Sequence, residues 1–124
     1  MRVVDTSAWI EAIVRRASEI VTRLPSREDW VVPTIVQLEL TKWLNREADD
    51  VFTEAILAYT SKCVVIELTT SIALSAAEYA RLYKLPTADA IIYATAVESS
   101  SDLLTCDAHF ENLPQVVYVP KTKA

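Results

Sequence analysis

Apolar residues along this chain keep two rhythms: short β-branched runs that stop at a polar or charged residue, and longer stretches with an apolar residue every three or four positions. The short runs, at 2–5 (RVVD), 30–32 (WVV), 63–68 (CVVIEL), 102–105 (DLLT) and 115–119 (QVVYV), predict five strands. Those at 2–5 and 63–68, apolar at consecutive positions, suit strands buried on both faces. The longer stretches predict helices. Trp9, Ile10, Ile13, Ala17, Ile20, Val21 and Leu24 hold a helical period up to Pro25, so one helix, or two with a kink near Arg15, fills 7–24 with Ser7 as N-cap. Pro33-Thr34 opens a helix with Ile35, Val36, Leu40, Trp43 and Leu44 on its apolar side. Asp50 caps another that carries Phe52, Ala55, Ile56 and Tyr59 in register. Ile72, Ala76, Tyr79 and Tyr83 mark a helix over 71–84, Thr87 caps the next (ADAIIYATAVE), and AHFEN reads as a short helical turn. Strands alternating with helices imply a parallel sheet with helices on both faces, an α/β sandwich.

Composition narrows the class. At 124 residues the chain is read as a single domain over 1–124, and 52% hydrophobic content with a positive mean hydropathy argues against disorder. No apolar run approaches the ~18 residues of a membrane span, and Asp5 interrupts the N-terminus before a signal-type segment forms, so the expected setting is cytoplasmic with no membrane partner. The chain has no glycine, which removes the P-loop and the GxGxxG dinucleotide fingerprint together. Turns must then rely on residues such as Pro25, Asn45, Asp49-Asp50 and Asn112. A net charge of −5 argues against a broad basic coat for nucleic acid but leaves a nuclease open, because bound cations offset a site made of carboxylates. Cys63 and Cys106 lack zinc-type spacing and read as small core thiols.

Four acids stand out against this background. Ligands of open parallel sheets bind beyond the carboxyl ends of the strands, and three acids belong there: Asp5 ends the first strand, Asp107 follows the fourth by two residues, and Asp89 lies in the first turn of its helix. Glu39 falls within the apolar stripe of the 33–44 helix. Each has a local explanation. Asp5 suits an Asx turn, Asp89 a helix N-terminus, Asp107 a cap for the AHFEN turn, and Glu39 a stripe-edge position paired with Lys42 or Arg46. Gathered together, however, four carboxylates repel one another and call for a divalent cation. Oxygen ligands select Mg²⁺ or Mn²⁺ over zinc.

Four stretches carry a resemblance. VVDTSAWI at 3–10, PTIVQLEL at 33–40, LPTADAIIYATA at 85–96 and LLTCDAHFENLPQV at 103–116 closely resemble a PIN-domain protein of the VapC toxin type, over almost the whole chain. The resemblance implies a five-stranded sheet in the order 3-2-1-4-5, in which the two cysteines lie too far apart for an intramolecular disulfide. It also implies a Mg²⁺- or Mn²⁺-dependent endoribonuclease that hydrolyses RNA with a metal-activated water, a VapB-type antitoxin that blocks the site, and a homodimer. By the same resemblance Asp5, Glu39, Asp89 and Asp107 are the catalytic, metal-binding acids, with Thr6, Ser7 and Thr105 as supporting hydroxyls. Many such proteins have glycine where this chain has Lys84 and Gln115.

Arg15, Arg16, Lys42 and Arg46 are the candidate RNA-binding cations, against solvated helix surface as the plainer reading. Trp9 and Trp43 could stack on bases, but their apolar positions favour burial. His109, the only histidine, reads as a packing or surface residue rather than a general base, and Ser/His/Asp hydrolysis has little support. The alternative to the enzyme is a PIN-like module that binds RNA or protein with little or no catalysis. A receiver-like phosphate pocket lacks its aspartate, since Glu67 is the nearest acid to the third strand's end.

Overall fold

A computed structural model describes residues 1–121 and contains a parallel sheet of five strands: β1 (Arg2–Val4), β2 (Trp30–Pro33), β3 (Val64–Ile66), β4 (Asp102–Thr105) and β5 (Val116–Tyr118). Their order is β3-β2-β1-β4-β5, with Val3 opposite Val31 on one side and Leu103 on the other. Successive strand residues point to opposite faces, so a strand buried at two consecutive positions is covered on both. Val3 and Val4, Val31 and Val32, and Leu103 and Leu104 are all fully buried, which shows that helices cover both faces of the central strands. The third strand departs from expectation. It is three residues long instead of six, lies at the sheet edge and leaves Val65 exposed, because only one of its sides has a neighbour. β5, at the other edge, is also shorter than 115–119 and half-buried.

Six helices accompany the strands: α1 (Thr6–Trp9), α2 (Ser18–Val21), α3 (Thr34–Glu47), α4 (Asp50–Lys62), α5 (Thr70–Tyr83) and α6 (Thr87–Glu98). The 7–24 helix is broken. A π-helical stretch, Ile10–Val14, follows α1, and the chain then turns at Arg16, whose φ is 51°. Three expected caps move by one or two residues. Asp5, not Ser7, caps α1 by accepting from the Ala8 N–H; Asp49, not Asp50, caps α4 by accepting from the Phe52 N–H; and Pro86 holds the N-cap of α6, leaving Thr87 inside the helix. In each case the residue with extended backbone just before the helix takes the role, as capping geometry requires. Trp9 is fully buried beside Trp30, with ring centroids 4.5 Å apart, so it belongs to the core rather than to a stacking surface. Cys63 and Cys106 are both free thiols, placed just outside β3 and β4.

Without glycine, five other residues take left-handed backbone: Arg16, Lys84, Ser100, Asn112 and Gln115. Lys84 and Gln115 do so at the two turns where the resembling proteins carry glycine. Gln115 has local support, since its side-chain amide donates to the Ser101 carbonyl at 2.8 Å and its own carbonyl accepts from the Leu103 N–H at 2.8 Å. Lys84, exposed at the C-terminus of α5 with φ 56° and ψ 42°, keeps the steric penalty of Cβ. Lys84→Gly is therefore expected to raise the unfolding free energy by about 0.5–1 kcal/mol in urea denaturation, the added freedom of the unfolded chain taking back part of the relief. A loss of stability would contradict this account of the turn.

Candidate metal centre

The sheet order reverses between β1 and β4. The chain builds outward from β1 through β2 to β3, then returns to the other side of β1, and loops leaving the two neighbouring strands diverge to open a crevice at their carboxyl ends. Asp5 follows β1 directly and its N–H donates to the Leu104 carbonyl at 3.1 Å. Its buried carboxylate is held from three sides. Oδ1 accepts from the Ser7 hydroxyl at 2.7 Å and the Ala8 N–H at 3.1 Å, and Oδ2 accepts from the Thr105 hydroxyl at 2.8 Å. A carboxylate offers about four acceptor positions, so this set leaves one for another partner.

The same hydroxyls bind the β4 end. Thr105 Oγ1 accepts from the Asp107 N–H at 2.9 Å, and Ser7 Oγ accepts from the Cys106 N–H at 3.0 Å. Asp107 in turn caps the 3-10 turn Ala108–Phe110 by accepting from the His109 N–H at 2.9 Å. That turn folds the imidazole back. His109 Nδ1 lies 2.7 Å from Asp107 Oδ1 and 3.4 Å from Asp89 Oδ2, so that one donor atom from each of the three residues falls within 4.8 Å of the others.

Glu39 stands one step away, on α3. It accepts from the Thr6 hydroxyl at 2.8 Å, and Thr6 adjoins Asp5 in sequence. Thr6, Glu39, Lys42, Trp43 and Arg46 line a cleft of about 260 Å³. Among the described residues Glu39 has no ion pair with Lys42 or Arg46, and Arg46 pairs instead with Glu47 at 3.0 Å. Arg15 pairs with Glu11 at 3.2 Å, Arg16 occupies the turn after the π-helical stretch, and neither lines this cleft.

Charge within the cluster is poorly compensated. Burial pushes the Asp5 carboxyl up from 3.8 to about 6, even though Ser7, Thr105 and Ala8 favour its ionised form, and the Asp107 charge adds to the rise. Burial likewise raises Asp89 to about 7, reinforced by the charge of Asp107, a hydrogen bond with it and the charge of Asp5. The N-terminus of α6 favours an ionised Asp89, but burial and the neighbouring carboxylates outweigh it. Asp107 moves down. Burial works against its charge, but hydrogen bonds from the His109 backbone and ring and from Asp89 win. Among the described residues no Lys or Arg forms an ion pair with Asp5, Asp89 or Asp107. Carboxylate oxygens that hold a proton for want of positive charge fit a hard divalent cation such as Mg²⁺ or Mn²⁺.

The local readings of Asp5 and Asp107 hold, whereas of the four acids only Asp89 and Asp107 fall in one compact group, Asp5 being connected through Thr105 and Glu39 standing apart beside Thr6. Asp5 and Asp107 are caps, and through those caps they become fixed members of the cluster. The reading of the sequence set one residue of the site aside and missed a buried acid. His109 joins the acids only because its turn is so short, and an Asp-x-His spacing just beyond a strand was the available signal. Glu11, 2% exposed and paired with Arg15, is a buried acid within the π-helical stretch that no pattern singled out.

A parallel sheet in this order, with acids at the β1/β4 crevice, defines the class, and the family comparison agrees: the chain belongs to the PIN-domain family, whose model matches residues 2–116. Among similar solved structures, a toxin-antitoxin complex from Klebsiella pneumoniae superposes with a TM-score of 0.80 at 23% identity, covering 94% of this chain and 96% of that one. VapBC2 from Rickettsia felis, bound to a DNA fragment from its promoter, gives 0.76 at 14% identity over 96% and 97%. VapC20 from Mycobacterium tuberculosis, a toxin that cleaves the sarcin-ricin loop, gives 0.67 at 18% identity over 83% and 87%. At these identities the likeness is one of fold. A search of curated proteins finds no match. No helix among the described residues is long and apolar enough to cross a membrane.

Proposed function

We propose that this protein is a VapC-type toxin, a Mg²⁺- or Mn²⁺-dependent endoribonuclease of the cytoplasm that cuts RNA and is restrained by a VapB-type antitoxin, acting as a homodimer. The observation that carries the reading is the group of Asp89, Asp107 and His109 within 4.8 Å, linked through Thr105 to Asp5 at the β1/β4 crevice. Membership of the PIN family and likeness to several toxin-antitoxin complexes support it. Asp5, Asp89 and Asp107 would hold the cation, with Glu39 completing the acidic rim from α3. When bound, the cation supplies an activated water and neutralises charge developing on the phosphodiester.

The chain's own residues do the rest. Ser7, Thr105 and the Ala8 N–H fix the Asp5 carboxylate in one orientation, and Thr6 does the same for Glu39. Lys42 and Arg46 line the cleft beside Glu39 and would hold backbone phosphates of the RNA. RNA is the substrate that the toxin cleaving the sarcin-ricin loop suggests. Purified protein, freed of any antitoxin, should cleave RNA when Mg²⁺ or Mn²⁺ is supplied and stop in EDTA. RNA bound but left intact with both metals would favour the non-catalytic binding module.

A further inference from the structure

We infer that His109 is a nitrogen ligand of the divalent cation, and that it tilts the preference of the site from Mg²⁺ toward Mn²⁺. This rests on the metal-dependent reading above and goes beyond it, since there the acids alone hold the cation and His109 has no assigned role. The plainer account of His109 is a local one. Its backbone N–H and its ring Nδ1 both meet Asp107 Oδ1, at 2.9 and 2.7 Å, as a short capped turn arranges by itself. That account reaches Asp89 only as an ion pair with a charged ring. Asp89 belongs to α6, a separate element, and its Oδ2 lies 3.4 Å from the same ring nitrogen.

The spacing leaves the three donor atoms within reach of one ion. Ligands about 2.1 Å from an octahedral ion sit about 3 Å apart when adjacent. The two distances from Nδ1, 2.7 and 3.4 Å, fall either side of that value. In the neutral tautomer protonated at Nε2, Nδ1 offers one lone pair, so a cation bound there displaces the proton between the ring and Asp107, which passes to Nε2 or to solvent. The His109 side chain is 59% exposed, which gives a hydrated ion a path to the ring. A nitrogen donor favours Mn²⁺ over Mg²⁺, because imidazole binds transition ions while Mg²⁺ keeps to oxygen.

Because the chain contains a single histidine, one isotope label settles the assignment. The full-length protein, prepared without a histidine tag, is loaded with Mn²⁺ and its electron spin-echo modulation recorded with natural-abundance and ¹⁵N-labelled histidine. Modulation from directly bound ¹⁴N, replaced by the ¹⁵N pattern on labelling, is the expected result. In titration calorimetry, His109→Ala should weaken Mn²⁺ binding by at least about tenfold while changing Mg²⁺ binding by less than about threefold. Stoichiometric Mn²⁺ binding without nitrogen modulation would overturn the His109 assignment and leave the metal-dependent nuclease standing. Failure of the parent protein to bind Mn²⁺ at all would overturn both. The labelling comparison uses the parent sequence, so a variant that does not fold leaves the decision intact.

Discussion

Asp5→Asn is expected to reduce RNA cleavage by at least about a thousandfold, about 4 kcal/mol of barrier, while leaving the fold at least as stable as the parent. The two halves of that expectation have separate causes. Asparagine keeps the carbonyl oxygen that accepts from Ser7 and Ala8, and Thr105, which now donates to Asp5, can rotate its hydroxyl to accept from the new amide. What disappears is the negative charge, and with it the affinity for a cation. Since the Asp5 carboxyl is held at about 6 by burial, its ionised form at pH 7.5 costs the fold about 3 kcal/mol, which the substitution removes. Single-turnover cleavage and thermal unfolding, measured on the same preparations, decide the matter. Activity within tenfold of the parent would remove Asp5 from the catalytic centre, whereas a collapse of both activity and folding would mean that Asp5 matters chiefly as the cap of α1.

The second large effect is on stability against pH in the absence of metal. Asp5 and Asp89 titrate near 6 and 7 in the folded protein but near 3.8 when unfolded. Below about pH 4 both states hold these protons and the pair has no effect. Between about pH 4 and 7 the unfolded chain has released protons that the folded chain retains, so stability falls as pH rises, and the loss is complete above about 7. Asp107, shifted downward, behaves oppositely: it withdraws stability as pH falls through its depressed value, below this window. In EDTA the parent should therefore lose on the order of 3 kcal/mol or more relative to Asp5→Asn between pH 4 and 7. Adding Mn²⁺ or Mg²⁺ at about 100 times its dissociation constant should return about 2.7 kcal/mol to the parent at pH 7.5. A parent-minus-variant difference that is flat or rises with pH, in urea titrations across this range, would refute the electrostatic account of the cluster.

Much of the architecture was legible because it depends on short-range patterns. Consecutive β-branched residues marked the strands, and the helical period of Ile72, Ala76, Tyr79 and Tyr83 marked α5. Edge position was not legible. VVI in β3 has the same composition as the buried centre, and only its place in the sheet, which came from resemblance and not from pattern, leaves Val65 exposed. Caps were displaced for a similar reason: Asp5 and Ser7, or Asp49 and Asp50, have comparable side chains, and backbone geometry decides between them. Three of the acids were found through their positions at strand and helix ends, and Glu39 through its place in an apolar stripe. Their unequal grouping was hidden, with Asp89 and Asp107 gathered around His109, Asp5 joined through Thr105 and Glu39 through Thr6. His109 was discounted because a lone histidine on a short turn has no partner in sequence except the aspartate two residues before it.

The pairing of β1 with β4 has a temporal consequence. Residues 2–4 meet residues 102–104 at the centre of the sheet, and Asp5 meets Thr105 across a separation of 100 residues. Closing so long a loop is slow compared with forming local helices. On the ribosome, β1 is made first and waits for its inner neighbour until most of the chain has followed. A nascent fragment ending before Thr105 carries Asp5, Glu39 and Asp89 but lacks Asp107 and one of the two hydroxyls that orient Asp5. The four acids and Thr105 thus come together only in a chain that is nearly complete, because the topology joins its two ends at the centre of the sheet.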